Sequence, residues 1–275
     1  MSREKVVELK DVSFRTPKVE ILHDVNWTVY QGAITVILGP NGCGKTTLLR
    51  LITGYLWPST GCVDIFGERL GNVDVHALRK SLGIVDPSST AFLHHNMTAL
   101  DVVLTGFFGI LTIYFDKPTI SQVEIARQAL HEVGLWEKDG QNFHTLSTGE
   151  QRRVLLARAM VGSPEMLILD EVCAGLDLLA RETLLATVSK MHADRPELTL
   201  LIVTHHIEEV LPNATDVLLM REGSIVGSGP PDKLLTSEPI SKAFGCDVEV
   251  SRIGERWTWS VAPEIWQGLL TAGTK

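Results

Sequence analysis

Residues 33–38 (Ala-Ile-Thr-Val-Ile-Leu) are apolar at every position but Thr35, and so short an unbroken run predicts a strand covered on both faces. Residues 166–169 and 199–203 repeat the pattern and predict two more buried strands. Near the N-terminus, residues 6–14 carry Leu9, Val12 and Phe14 as apolar members of a strand, with Phe14 assigned to the core by its alternation with Val12. Residues 21–29 and 63–67 are further strand candidates, and residues 216–228 read as a hairpin turning at Glu222-Gly223. In the tail, Val248 and Val250, then Trp257, Trp259 and Val261, alternate with period two. That predicts a final hairpin with both tryptophans on one face, packed into the core. Helical patterns interleave with these strands. One helix spans residues 45–53 and stops at Gly54, and Asp74 caps another that ends near Gly83. Ser121-x-x-Glu124 predicts a capping box, followed by Val123, Ala126, Leu130 and Val133 on one face before Gly134. A second box, Ser147-x-x-Glu150, opens a helix to about residue 161, ended by Gly162 and Pro164.

Strands alternating with helices, around a mainly helical insert near residues 88–162, predict an α/β sheet core with a helical subdomain. The chain of 275 residues is long enough for one or two domains, with 44% hydrophobic and 21% charged residues. That balance excludes intrinsic disorder, collagen and a simple coiled coil. The net charge of −8 argues against non-specific nucleic-acid binding, which depends on Lys and Arg neutralising phosphates. Cys43, Cys62, Cys173 and Cys246 form no C-x-x-C pair, which fits a reducing cytoplasm. The N-terminus lacks the apolar core of a signal peptide. The longest apolar run, residues 102–115, is shorter than the roughly 20 residues a spanning helix needs. As a single helix it would be apolar on nearly every side. It reads either as a buried core helix or, with the loop at residues 87–100, as part of a groove for a partner helix.

Three motifs carry chemistry. Gly39-Pro40-Asn41-Gly42-Cys43-Gly44-Lys45-Thr46-Thr47 fits G-x-x-x-x-G-K-[ST], follows a buried strand and opens a helix. Backbone N–H groups of such a loop cradle phosphates, Lys45 reaches the β- and γ-phosphates, and the Thr46 hydroxyl can ligate Mg²⁺. Met166-Leu-Ile-Leu-Asp170-Glu171 delivers two carboxylates to a sheet edge. Alone this pair is an ordinary polar strand end. Beside a phosphate loop, Asp170 can orient Mg²⁺ and Glu171 can polarise an attacking water. Leu146-Ser147-Thr148-Gly149-Glu150-Gln151 places a capped helix N-terminus where an anion could meet it, although its spacing equally describes an ordinary capped helix.

With these motifs in this order, the chain resembles the nucleotide-binding subunits of ABC transporters over residues 6–230. The resemblance includes Ala174-Gly-Leu-Asp177 and Thr204-His205. It implies a P-loop NTPase core of RecA-like type, with an antiparallel β subdomain and an inserted helical subdomain. A cassette would occupy residues 1–245 and a short β extension residues 246–275. It implies an ATPase that uses ATP and Mg²⁺, the ion held by Thr46 and Asp170, with Glu171 and His205 catalytic and His205 at the γ-phosphate. Two copies would stack head to tail on ATP, so that Ser147, Thr148, Gly149 and Glu150 of one meet the nucleotide of the other, with Asp177 in the dimer's Asp-loop. The partner would be a membrane permease, which puts the chain in the cytoplasm against the inner face of the membrane; no nucleic acid is implied. Residues 101–108 and 243–250 are similar to metal-chelate, vitamin or molybdate-type importer ATPases. A soluble ABC-type switch without a permease and a slow-hydrolysing ATP-binding module are the alternative readings.

Three positions depart from the family pattern. Thr16 stands where an aromatic residue usually stacks on adenine. No Gln occurs between Gln31 and Gln122, where one usually touches Mg²⁺ and water; Asp86, Ser88 and Ser89 are the candidate substitutes. Thr148 replaces the commoner Gly. Two lesser features have two readings each. Cys43, at a helix N-terminus, is either a favoured thiolate or a small loop residue. His94-His95 is either a metal pair or part of a surface loop.

Overall fold

A computed structural model describes residues 4–109, 117–261 and 265 of the chain. From the N-terminus come β1 (Lys5–Arg15), β2 (Glu20–Tyr30), β3 (Ile34–Leu38), α1 (Lys45–Ile52), β4 (Thr60–Ile65), β5 (Glu68–Arg69), α2 (Val75–Lys80) and β6 (Leu82–Val85). The helices α3 (Ala99–Leu104), α4 (Ile120–Glu132) and α5 (Thr148–Met160) follow, then β7 (Met166–Asp170), α6 (Leu178–Asp194) and β8 (Thr199–Thr204). The chain continues through β9 (Asp216–Arg221), β10 (Ser224–Gly229), α7 (Pro231–Leu234), α8 (Ser237–Phe244), β11 (Glu249–Ile253) and β12 (Arg256–Ser260). These elements divide into two units: residues 1–71 with 203–275, and residues 72–202.

In the first unit β2, β1, β4 and β5 form an antiparallel sheet in that order. Pairing Leu9 with Trp27 and Val12 with Val25 puts their side chains in the core. Phe14, opposite Leu22 near the strand's end, is half-buried rather than a core residue, because the sheet thins out there. The strand expected at residues 63–67 runs earlier, Thr60–Ile65, because Ser13↔Thr60 and Lys10↔Cys62 pair it to β1 and Phe66-Gly67 turns into β5. A second set of strands runs β10, β9, β3, with β3 parallel to β9 and all five β3 residues buried. Parallel strands with both faces covered read as continuous apolar runs, as this one does. The C-terminal hairpin β11–β12 pairs Val250 with Trp259 and Arg252 with Trp257. Trp257 is buried, while Trp259 is half-buried with its ring edge-on to Phe244 at 4.7 Å.

In the second unit β6 runs parallel to β7, and β8 lies on β7's other side. The described residues between β6 and β7 form helices and turns. The cap of α4 is Thr119 with Gln122, not Ser121 with Glu124: the Thr119 hydroxyl accepts from Gln122 N–H at 3.2 Å and Gln122 Oε1 accepts from Thr119 N–H at 2.9 Å. Both pairs have the right spacing, but the upstream one starts the helix two residues sooner with its cap intact. The apolar run at residues 102–115 does not continue as one helix. α3 ends at Leu104 and a 3₁₀ turn, Thr105–Phe108, leads to Gly109 in the left-handed region. Arg158 Nε donates to the Thr105 hydroxyl at 2.7 Å and holds the break. Val102, Val103 and Leu104 are buried and Phe107 and Phe108 half-buried; residues 110–116 lie outside the described residues. The helix α2 ends at Lys80, short of Gly83, because Gly83 belongs to β6 opposite Leu167.

Candidate functional site

The phosphate loop begins where β3 leaves the core. Gly44 caps α1 with φ of 106°, a left-handed conformation that glycine adopts without strain, and it turns the next N–H groups toward the loop. Lys45 is 4% exposed, and its Nζ donates to Gly39 O at 2.9 Å and Pro40 O at 3.0 Å. Asn41, Gly42 and Thr46 are exposed, and Pro40 and Thr47 half-buried. A buried ammonium held by carbonyls at a helix N-terminus is a cradle suited to a polyphosphate. The loop leans on a turn far away in sequence. Gly223 N–H donates to Cys43 O at 3.0 Å, and Gly223 O accepts from His23 N–H at 2.9 Å. The hairpin at Glu222-Gly223 was legible in the sequence; its support of the loop was not. Burial pushes the Cys43 thiol above its usual pKa, and the nearby Lys45 charge only partly offsets this. Desolvation thus outweighs the helix terminus, which favours the small-loop-residue reading of Cys43.

Thr204 and His205 are in the same unit. Thr204 ends β8, and His205 follows it half-buried with its ring 4.1 Å from that of exposed His206. Thr16 contributes no ring. Its N–H and hydroxyl both donate to Val19 O, at 2.8 and 2.9 Å, closing a tight turn.

The acidic pair, the signature helix and the Asp-loop belong to the second unit. Asp170 closes β7, and Glu171 follows with φ of 48°, a strained left-handed backbone at a non-glycine residue. Such strain concentrates at functional positions. Ser147 caps α5 in a full capping box: its hydroxyl accepts from Glu150 N–H at 3.3 Å and Glu150 Oε2 accepts from Ser147 N–H at 2.9 Å. Lys138, which sequence reasoning missed, donates to Glu150 Oε1 at 2.5 Å. Hydrogen bonding from Lys138 above all pulls the Glu150 carboxyl down to about 2; burial opposes it, and hydrogen bonds from Ser147 add to the lowering. Glu150 is thus a brace, while Ser147 and Thr148 stay exposed. A Cβ on Gly149 would come within 2.8 Å of Ala180 Cβ, so glycine lets α5 approach α6. Asp177 caps α6 by accepting from Ala180 N–H at 2.8 Å, which brings the signature and the Asp-loop onto one contact.

The three candidates for the absent Gln form a single cap. Asp86 accepts from Ser88 N–H at 2.8 Å and Ser88 Oγ at 2.7 Å, and Ser89 Oγ donates to Asp86 O at 2.6 Å. Arg152 on α5 interacts electrostatically with Asp86 and Cys173, while its own burial lowers its pKa. His94 and His95 are exposed, and their rings stack at 4.4 Å.

A buried strand, a glycine-rich phosphate loop and a helix that starts on its lysine define a P-loop nucleotide-binding protein. The ABC transporter family matches residues 22–174, and the chain belongs to that family. It is 35% identical to the "Uncharacterized ABC transporter ATP-binding protein YmeB" of Lactococcus lactis, over 92% of this chain and 97% of that one. It is 32% identical to the "Hemin import ATP-binding protein HmuV" of Rhizobium meliloti, over 90% of this chain and 94% of that one. The structure of cbiO1 from Clostridium perfringens, "part of the ABC transporter complex cbiONQ", superposes with a TM-score of 0.74 at 26% identity. It covers 87% of this chain and 94% of that one. The chain is an ATP-binding transporter subunit and an ATPase with the P-loop NTPase fold, and the reading as a switch without a permease is not favoured. Among the described residues no helix is long and apolar enough to cross a membrane.

Proposed function

We propose that two copies of this chain close head to tail around two ATP molecules, and that closing and reopening drive a membrane permease from the inner face of the membrane. In this reading each ATP lies between the phosphate loop of one copy and the Ser147–Glu150 helix end of the other. Lys45 meets the β- and γ-phosphates, and the N–H groups opening α1 receive the phosphate oxygens. The Thr46 hydroxyl and the Asp170 carboxylate are hard oxygen donors of the kind Mg²⁺ prefers. When bound, the ion neutralises phosphate charge. Glu171 takes the proton of the attacking water as its oxygen bonds to the γ-phosphorus and the bond to ADP breaks. His205 steadies the γ-phosphate, and Asp177 acts at the junction of the two copies.

Lys45 carries the reading: an ammonium that is 4% exposed, held by the Gly39 and Pro40 carbonyls in a glycine loop at a helix start, stands where a polyphosphate would meet both the charge and the helix N-terminus. Lys45→Ala is expected to abolish ATP binding in isothermal titration. Glu171→Gln is expected to bind ATP normally, to lose turnover by about 10²–10⁴-fold, and to accumulate as a dimer in gel filtration with Mg-ATP. Wild-type affinity in the first variant, or wild-type turnover in the second, overturns the assignment.

A further inference from the structure

The backbone at the switch histidine is bracketed. The Thr204 hydroxyl donates to Glu209 Oε2 at 2.5 Å and accepts from His206 N–H at 3.0 Å, so His205 sits between two tied residues. Glu209 is 4% exposed, a carboxylate nearly removed from water. Its position is set by the 3₁₀ turn Ile207–Glu209, whose Ile207 is fully buried and whose Glu209 N–H donates back to His206 O at 3.2 Å. Within that turn, Glu208 O accepts from Nη2 of Arg256 at the start of β12.

The hairpin that carries Arg256 is itself anchored. Val248 N–H donates to Ser241 Oγ and Val250 N–H to Ser237 Oγ, each at 3.0 Å. Arg252 pairs with Asp232 at 3.0 Å and lies over the buried Trp257 ring at 4.6 Å. A firmly held strand therefore presents a guanidinium to the turn that fixes Glu209, and Glu209 fixes Thr204.

We propose that Arg256 is a positioning residue for ATP hydrolysis, acting through the Glu208 carbonyl, Glu209 and Thr204 on the placement of His205. The proposal rests on the role given to His205 above. A charge-assisted hydrogen bond is stronger than a neutral one, and small displacements of a reacting group cost rate steeply. Arg256→Met is expected to lower kcat about tenfold with the KM for ATP unchanged, and Arg256→Lys to restore most of the loss. Thr204→Val keeps the buried shape but removes both hydrogen bonds, and is expected to give the same split. In a His205→Ala background, Arg256→Met is expected to cause no further loss. If Arg256 only staples the hairpin, Arg256→Met lowers the melting temperature and leaves kcat unchanged, which overturns the inference. If Arg256→Met fails to fold, wild-type kcat in Thr204→Val overturns it instead. The His205→Ala single variant separates the two claims. Wild-type turnover there overturns the role of His205 itself, whereas a dead His205→Ala beside a fully active Arg256→Met overturns the positioning role alone.

Discussion

Individual side chains behave here as their surroundings dictate, sometimes against their local motif. Cys43 lies in a phosphate loop, yet it is 3% exposed and its thiol pKa is raised. Alkylation at pH 7.5 is therefore expected at half-buried Cys62 and Cys246 at least about tenfold faster than at Cys43, read by peptide mass spectrometry. Faster labelling at Cys43 would mean the thiolate is favoured after all. Thr16 closes its turn through Val19 O and has no ring to stack on a base, so ATP and GTP are expected to bind with similar affinity. Thr16→Tyr keeps the backbone bond to Val19 and is expected to tighten ATP binding by about 1 kcal/mol, near fivefold. A strong ATP preference in the unchanged protein would place the stacking platform at another residue.

At the scale of elements, the helix α5 begins on a charged brace rather than on a bare cap. Glu150 ties Ser147 and Lys138 together, and its carboxyl is held at about 2 instead of its ordinary 4.5. A depressed folded-state pKa contributes stability that is fully present above the unfolded value and is lost as pH falls through the folded one. Resistance to urea unfolding is thus expected to fall progressively from about pH 4.5 toward pH 2, in part through this group. Glu150→Gln is expected to cost about 0.5–1 kcal/mol at pH 7 and to flatten that fall. An unchanged acid profile in the variant would remove Glu150 as its source. Helix boundaries show how far such local chemistry reaches. The box at Ser147 was legible because both partners lie within one turn. The start of α4 was not, because Thr119 and Ser121 offer equally good spacing.

For the whole molecule, the half-buried Phe107 and Phe108 lie on the 3₁₀ turn after α3, within the apolar stretch that the sequence left open between core and partner groove. The buried faces of Val102, Val103 and Leu104 account for its first part as core. Phe108→Asp is expected to leave the chain folded and able to hydrolyse ATP alone, while reducing its co-purification with membranes that contain the permease. Unfolding of the variant would assign this turn to the core as well. The chain's charge of −8 gives nucleic acid no general attraction.

By itself the sequence determined what depends on a few consecutive residues. The glycine loop before Lys45, the carboxylates after Leu169, the cap at Ser147 and the hairpin turn at Glu222-Gly223 each follow from backbone freedom, a short hydrogen bond or an apolar run. What required partners distant in the chain was decided only in three dimensions. Arg158 ends α3 through Thr105, Gly223 supports the phosphate loop, Lys138 braces Glu150, and Arg256 reaches the turn behind His205. The helix α6 also escaped the reading of the sequence, because exposed Leu178 and Leu179 blur its apolar period before the buried face of Leu184, Leu185, Val188 and Met191 begins. Motifs mark where chemistry is placed, since their requirements are local. The side chains that hold the motif in position come from anywhere in the chain, because packing and desolvation depend on proximity in space.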